Sequence, residues 1–162
     1  MKKLKLLSVI VLTVILSTAF HNVYADSENV VGNVEAAMFI DQADEPLAIR
    51  ILSHTDYSLS FHSRVLMEHL GYEAEWIEST GQISFTSDEN TIIITVGKST
   101  CIKNGIEIEF SRPVFIIDDF SYLPHTFLSE VLSLDIVSVQ TAFMRPYRMY
   151  AVNVMTYPPN AD

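Results

Sequence analysis

The sequence predicts an α+β fold in which a twisted, mainly antiparallel β-sheet packs against two short helices. Three observations support this class. Short alternating or β-branched segments are separated by tight turns, two segments carry a helical apolar stripe, and these two segments resemble each other. Each predicted helix has only about ten residues, a length that is marginal in water without a packed surface. We therefore expect the sheet to supply that surface.

The internal duplication lies in two stretches of similar sequence. Residues 60–70 read SFHSRVLMEHL and residues 122–132 read YLPHTFLSEVL, so that Glu68 corresponds to Glu130. A proline suits the first turn of a helix, because the first N–H groups have no partner within the helix. Gly71 supplies a stop for the first helix, whereas Ser133 stands at that place in the second. We therefore expect the two helices to end differently.

The N-terminal segment has the features of a secretory signal peptide. A basic opening at residues 1–5 precedes an apolar run over residues 6–20, and Val23-Tyr24-Ala25 follows with small residues at the two positions that matter for cleavage. The apolar run is shorter than the roughly 20 residues of a membrane span, which makes an uncleaved anchor the weaker alternative. We predict cleavage after Ala25, a secreted product, and membrane contact only through the uncleaved signal peptide.

The composition excludes some partners and cross-links. The chain has 10 basic and 20 acidic residues, a formal net charge of −10. Nucleic-acid binding needs clustered Lys and Arg to neutralise phosphates, so no nucleic-acid partner is expected. Cys101 is the only cysteine, so no internal disulfide can form. Its place in a strand-like run predicts a buried, unreactive thiol.

The predicted domain covers residues 46–157, with a first strand at residues 47–52. Residues 26–45 are acidic and weakly patterned, which predicts a flexible lead-in in which residues 36–40 could pair as an edge strand. Residues 158–162 are predicted to be a frayed C-terminus.

The clearest alternation follows the first helix. Tyr72, Ala74 and Trp76 are spaced to face one side of a strand, which predicts a hairpin with the strand near Phe85. We predict Trp76 to be a main core anchor, whose replacement by alanine would cost about 3–5 kcal/mol. The alternative is an aromatic sugar-binding platform of Trp76, Tyr72, Phe85 and Tyr122.

Later elements are fixed by turn chemistry. Residues 91–96 are β-branched throughout, which predicts a central strand covered on both faces. Asn104-Gly105 predicts a type I′ hairpin turn, because both residues tolerate positive φ. Asp118-Asp119 is expected to turn the chain back toward Tyr122. Further strands are predicted at residues 106–110, 114–117, 136–139 and 147–155.

These elements resemble the copper amine oxidase N-terminal-like domain, or stalk domain, of secreted bacterial proteins. The resemblance covers about residues 45–140. Its motifs appear here as Lys103-Asn104-Gly105, Pro113, Tyr122-Leu123-Pro124 and the segment 127–132 with Glu130, and in the first copy as Arg64, Glu68, Gly71 and Trp76. The resemblance implies a non-catalytic module that holds neither copper nor quinone, with these residues in structural roles.

Four histidines and two glutamates are candidates for a chemical role. His54, His62, His69 and His125 invite a metal hypothesis, but His62 and His69 lack the one-turn spacing that zinc sites use on one helix. No metal site is therefore predicted. Glu68 and Glu130 could act as a catalytic pair, but no nucleophile motif accompanies them. A structural role is favoured, including an i, i+4 pair between Arg64 and Glu68.

The sequence predicts a secreted, non-enzymatic, stalk-like module that binds or scaffolds at the cell envelope without a cofactor. Its expected partner is an envelope component or another secreted protein. Two alternatives stay open. One is a secreted binding partner or inhibitor of another protein that uses a sheet edge. The other is a small wall-acting hydrolase that uses Glu68 or Glu130 as an acid/base.

Overall fold

The computed structural model describes residues 30–144 and 147–156. The predicted signal peptide and its cleavage site, and the predicted frayed end at 158–162, lie outside these residues. Helix α1 spans Ser63–His69, and helix α2 spans His125–Leu132. The strands are, in chain order, β1 (Val30–Ile40), β2 (Leu47–His54), β3 (Leu59–His62), β4 (Glu73–Ile77), β5 (Gln82–Thr86), β6 (Thr91–Thr95), β7 (Thr100–Lys103), β8 (Ile106–Glu109), β9 (Phe115–Ile117), β10 (Phe120–Pro124), β11 (Leu134–Met144) and β12 (Tyr147–Thr156).

The α+β class with two short helices is confirmed, but the strands form two sheets rather than one. The seven-stranded sheet has the order β11-β12-β1-β2-β3-β10-β9, and the five-stranded sheet runs β4-β5-β6-β7-β8. Neighbouring strands are antiparallel except for β1 and β12, which are parallel. No helix in the described part of the chain is long and apolar enough to cross a membrane.

The prediction of a flexible lead-in over residues 26–45 is wrong where the structure describes it. Residues 30–40 form β1, which pairs with β2 on one side and β12 on the other. It is therefore an interior strand, not the edge strand suggested for residues 36–40. Ala36 and Met38 are buried in the core beneath the sheet, and their burial holds β1 in place. The partner strand β12 lies more than 100 residues along the chain, where local patterning gives no sign of it.

Both helices pack on both sheets. In α1, Leu66 belongs to the core cluster of the seven-stranded sheet and Met67 to that of the five-stranded sheet. In α2, Leu128 and Phe127 divide in the same way. Neighbouring side chains of each short helix thus reach different sheets, so the helices are held between two apolar surfaces that compensate for their length.

Several local predictions are confirmed by these pairings. β4 and β5 form the predicted hairpin, and β6 is the central strand of its sheet. The prediction that β6 is covered on both faces is wrong, because Ile92 and Ile94 are buried while Ile93 is only half-buried. The helices cover one face of this sheet and leave the other toward solvent.

The two predicted turns are also confirmed. Asn104 and Gly105 have φ values of 52° and 83° and join β7 to β8. Asp118 and Asp119 have φ values of 50° and 65° and join β9 to β10. Positive φ at both central residues is what a two-residue turn between twisted strands requires.

Candidate ligand-binding cleft

A cleft of about 530 Å³ opens between the β4 side of the five-stranded sheet and the β9–β10 hairpin. Its apolar floor comes from β4 and β5, and the start of α1 forms its base. The lining residues are His62, Ser63, Arg64, Ala74, Trp76, Ile83, Phe85, Ile116, Asp119, Phe120 and Ser121.

Trp76 lines this cleft and is 44% exposed, so the prediction of a core anchor is wrong. The predicted alternation is correct, because Ala74 and Trp76 pair across the hairpin with Phe85 and Ile83, and all four line the same cleft. The indole therefore lies on the cleft side of the sheet and is only partly covered.

The aromatic surface of the cleft differs from the platform considered from the sequence. Phe85 lies in the cleft floor, whereas Tyr72 packs against the core and Tyr122 is fully buried. The second exposed ring belongs to Phe120, which is 40% exposed and which sequence reasoning missed. Its position directly after the Asp118-Asp119 turn was the available signal, because a ring at a hairpin tip has few neighbours to cover it.

Phe120 is held in place by two neighbouring groups. The guanidinium carbon of Arg50 lies 5.1 Å from the centre of its ring, a distance suited to a cation–π interaction. The His62 ring centre lies 5.0 Å away. Beyond Phe120, a smaller cleft of about 250 Å³ includes Glu35, Arg50 and Val65 in its lining. Phe120 therefore separates two neighbouring depressions.

The polar groups at the base of the cleft are engaged in holding the fold together. His62 Nδ1 accepts a hydrogen bond of 3.3 Å from the backbone N–H of Val65, which caps α1. Burial lowers the pKa of His62, and the nearby Arg50 charge lowers it further. The hydroxyls of Ser63 and Ser121 bond to each other and tie α1 to β10.

Charged groups stand at the cleft rim. Arg64 lies 3.9 Å from a Glu68 carboxylate oxygen in the predicted i, i+4 pair, which is thereby confirmed. Asp119 lines the other wall, on the turn between β9 and β10. Glu68 and Glu130 are both exposed, on different helices, and neither lines this cleft.

The family model described as the copper amine oxidase N-terminal domain matches residues 60–141, half of the chain. The chain belongs to this family. The family is that of the N-terminal domain of the oxidase and not of its catalytic domain. No curated protein matches the chain, and no solved structure matches it.

Within this copper amine oxidase N-terminal domain, the matched segment includes both helices, the whole five-stranded sheet and every lining residue of the cleft. It leaves out β12, β1 and β2, which are three consecutive strands of the seven-stranded sheet. The cleft is thus built from the family segment alone.

Of the family-motif residues named from the sequence, Arg64 and Trp76 line the cleft, and the others are dispersed through the fold. Asn104 accepts a hydrogen bond of 2.8 Å from the Thr91 backbone N–H, and Gly105 completes that turn. Tyr122 and Pro124 are buried in β10, Pro113 is half-buried before β9, Gly71 follows α1, and Glu68 and Glu130 lie on the helix surfaces.

The histidines are also dispersed. His54 Nε2 lies 2.9 Å from the Ser60 hydroxyl in a buried hydrogen bond, and His69 is exposed in the last turn of α1. His125 begins α2. Over residues 30–144 and 147–156, no three His, Cys, Asp or Glu side chains are grouped as a metal site would need.

The burial predicted for Cys101 is confirmed. Its side chain is buried in the core of the five-stranded sheet, and burial raises the pKa of the thiol to about 11. The thiolate, which is the reactive form, is therefore scarce at neutral pH.

Proposed function

We propose that this protein is a non-catalytic, stalk-like binding module that is exported through its signal peptide and acts at the cell envelope. The observation that carries the proposal is the pair of part-exposed aromatic rings, Trp76 and Phe120, in one cleft. Aromatic side chains provide a large contact area at little cost in conformational entropy, and they dominate many binding surfaces. An envelope component or another secreted protein is the expected partner.

The bonding at the base of the cleft supports a binding role over a hydrolytic one. His62 Nδ1 is taken by the Val65 N–H, and the two serine hydroxyls bond to each other. A general base must reach the proton it abstracts, and these groups already have structural partners. The Glu68 carboxylate is likewise paired with Arg64 on the helix surface.

The test is retention of labelled protein on cell walls and secreted proteins purified from the source organism. We expect Trp76→Ala and Phe120→Ala each to weaken retention about tenfold or more, in line with loss of a central aromatic contact. Ile106→Ala is the matched control, because Ile106 is 68% exposed on β8, at the opposite edge of the same sheet. Circular dichroism checks that each variant is folded.

The proposal would be contradicted if Trp76→Ala and Phe120→Ala were retained as well as Ile106→Ala and wild type. The hydrolase alternative would replace the proposal if wild type released soluble fragments from the walls and a Glu68→Gln, Glu130→Gln variant did not.

We also infer that the two helix-bearing segments arose by internal duplication. β3 leads into α1 and β10 leads into α2, and β3 pairs with β10 with Phe61 opposite Leu123. These two residues correspond in the sequence alignment of the copies. A local twofold relation between duplicated units would set equivalent residues opposite each other, and the register supports this.

A further inference from the structure

β4 is an edge strand that stands beside the cleft. It pairs with β5 on one side, and no strand of the described chain pairs with its other side. Every second residue of an edge strand directs its backbone N–H and C=O away from the sheet. The same strand that supplies Trp76 to the cleft therefore also offers a row of backbone hydrogen-bonding groups.

The two faces of β4 differ in chemistry. Ala74 and Trp76 lie on the cleft side. Glu73 and Glu75 are exposed on the other face, because successive side chains of a strand alternate. Their cross-strand neighbours on β5 are Thr86 and Ser84, which carry no charge. A strand added beside β4 would thus meet carboxylates on one face and an aromatic cleft on the other.

We propose that β4 and the cleft together bind an extended peptide segment of a partner protein, in which apolar or aromatic residues alternate with Lys or Arg. This inference rests on the proposed binding function and names its ligand. The peptide backbone would add a sixth strand to the sheet. Its apolar side chains would enter the cleft beside Trp76 and Phe120, and its cations would stand next to Glu73 and Glu75.

Charge complementarity selects this occupant over a second copy of the chain. Opposite charges on neighbouring strands stabilise the pairing and like charges destabilise it. Antiparallel pairing of β4 with β4 of another copy, centred on Ala74 or on Glu75, would set a glutamate opposite a glutamate. The formal net charge of −10 on the chain also favours encounter with a basic segment.

The open backbone edge favours a peptide over a sugar chain. A sugar could stack on Trp76, but it has no alternation of side chains for Glu73 and Glu75 to select. A peptide strand uses the aromatic rings, the backbone groups and the carboxylates together.

The test uses short synthetic peptides of alternating Lys and Val around a central Tyr, with blocked ends, at physiological ionic strength. Two further versions carry N-methyl groups on alternate residues, one version in each phase. We expect only one phase to weaken binding, by about tenfold or more, because only alternate N–H groups of an added strand face β4. Hydrogen exchange of residues 73–77 should slow when the unmodified peptide is bound.

A charge-swap variant tests the outer face. Glu73→Lys, Glu75→Lys should lose affinity for the Lys peptide and gain affinity for the corresponding Glu peptide. The matched control is Glu107→Lys, Glu109→Lys, since these residues are exposed on β8, the opposite edge of the same sheet. The control should keep the wild-type preference apart from the small shift expected from the change in net charge.

Other outcomes decide against the inference. Equal binding of both N-methylated versions, or an unchanged preference in the charge-swap variant, would overturn strand addition at β4. A tetramer of N-acetylglucosamine that binds in a Trp76-dependent way, with no peptide binding, would overturn the peptide ligand and leave the proposed binding function standing. Trp76→Ala and Phe120→Ala variants that retain envelope partners as well as wild type would instead overturn the proposed function itself.

Discussion

At the scale of single residues, Trp76 shows that the face of a strand on which a side chain lies does not by itself decide how far that side chain is buried. Its side chain lies on the cleft side of β4, as the alternation predicts, yet it is 44% exposed. Selection for stability alone does not require a large ring there, since the ring leaves much of its area in water. The binding function proposed above would account for its place in the cleft with Phe120.

The stability of a Trp76→Ala variant distinguishes these roles. We expect a loss of about 1–2 kcal/mol, because only part of the indole area is removed from water. Phe85→Ala is the matched comparison, since Phe85 is fully buried in the cleft floor near Trp76. This substitution should cost about 3–5 kcal/mol. Urea unfolding of the two variants measures both values. Equal losses would show that Trp76 is a core residue in solution.

Cys101 makes the stability of the protein sensitive to alkaline pH. Burial raises the pKa of its thiol in the folded state to about 11 from an ordinary value near 9. The unfolded thiol therefore loses its proton first as pH rises, so the stabilisation is complete below pH 9 and declines between about pH 9 and pH 11. We expect the wild-type melting temperature to fall more steeply over this interval than that of Cys101→Ala. Parallel curves for the two proteins would contradict this account.

At the scale of elements, the two helices end in related but unequal ways. After α1, Gly71 has φ of 85°, its N–H bonds to the Glu68 carbonyl, and the Tyr72 N–H bonds to the Met67 carbonyl. This is a Schellman ending. After α2, Ser133 has φ of 57° and its N–H bonds to the Leu128 carbonyl. Both exits use left-handed backbone, but the second does so with a residue that carries a Cβ.

This difference predicts opposite effects of two substitutions. Ser133→Gly should raise the free energy of unfolding by about 0.5–1 kcal/mol, because glycine adopts the left-handed conformation without a Cβ penalty. Gly71→Ala should lower it by about 1 kcal/mol. A Cβ at Gly71 would meet no atom within 4 Å, so the cost there comes from the backbone and not from a clash. Chemical denaturation measures both, and a Ser133→Gly variant no more stable than wild type would count against the explanation.

At the scale of the whole molecule, the family segment and the folded unit are not the same. The match covers residues 60–141, but the core of the seven-stranded sheet also includes residues from outside it. These are Ala36 and Met38 of β1, Ile49 and Ile51 of β2, Leu59 of β3, and Val152 and Val154 of β12. They share a core cluster with Leu66 of α1 and Leu128 of α2, so both helices would lose packing surface without them.

We therefore expect an isolated fragment of residues 60–141 not to fold cooperatively, because short helices without a covering surface are marginal. A fragment of residues 30–156 is the control and should retain a single thermal transition. Circular dichroism and calorimetry of the two fragments provide the measurement. A sharp transition in the shorter fragment would show that the outer strands are dispensable.

The sequence predicts well what local chemistry determines. The Asn104-Gly105 and Asp118-Asp119 turns, the β4–β5 hairpin, the two helices and the buried Cys101 all depend on residues close together along the chain. The role of β1 could not be predicted, because its neighbour β12 is distant in sequence and runs parallel to it. The exposure of Trp76 was also hidden, since the residues that line the cleft with it come from distant parts of the chain. The candidate cleft is thus a tertiary feature, of which sequence patterning identified Trp76 but not the second ring.

The parallel pairing of β1 with β12 has a mechanical consequence. Ala36 lies opposite Tyr150 and Ile40 opposite Val154, so the chain enters this pair at one end of the sheet and leaves it at the other. Tension between the start of β1 and the end of β12 would drag the strands past each other along their length. This is a shear geometry, in which all the hydrogen bonds between the two strands resist the force together instead of breaking one after another. We therefore expect this pair to resist tension between these two ends better than a pair whose hydrogen bonds open one after another.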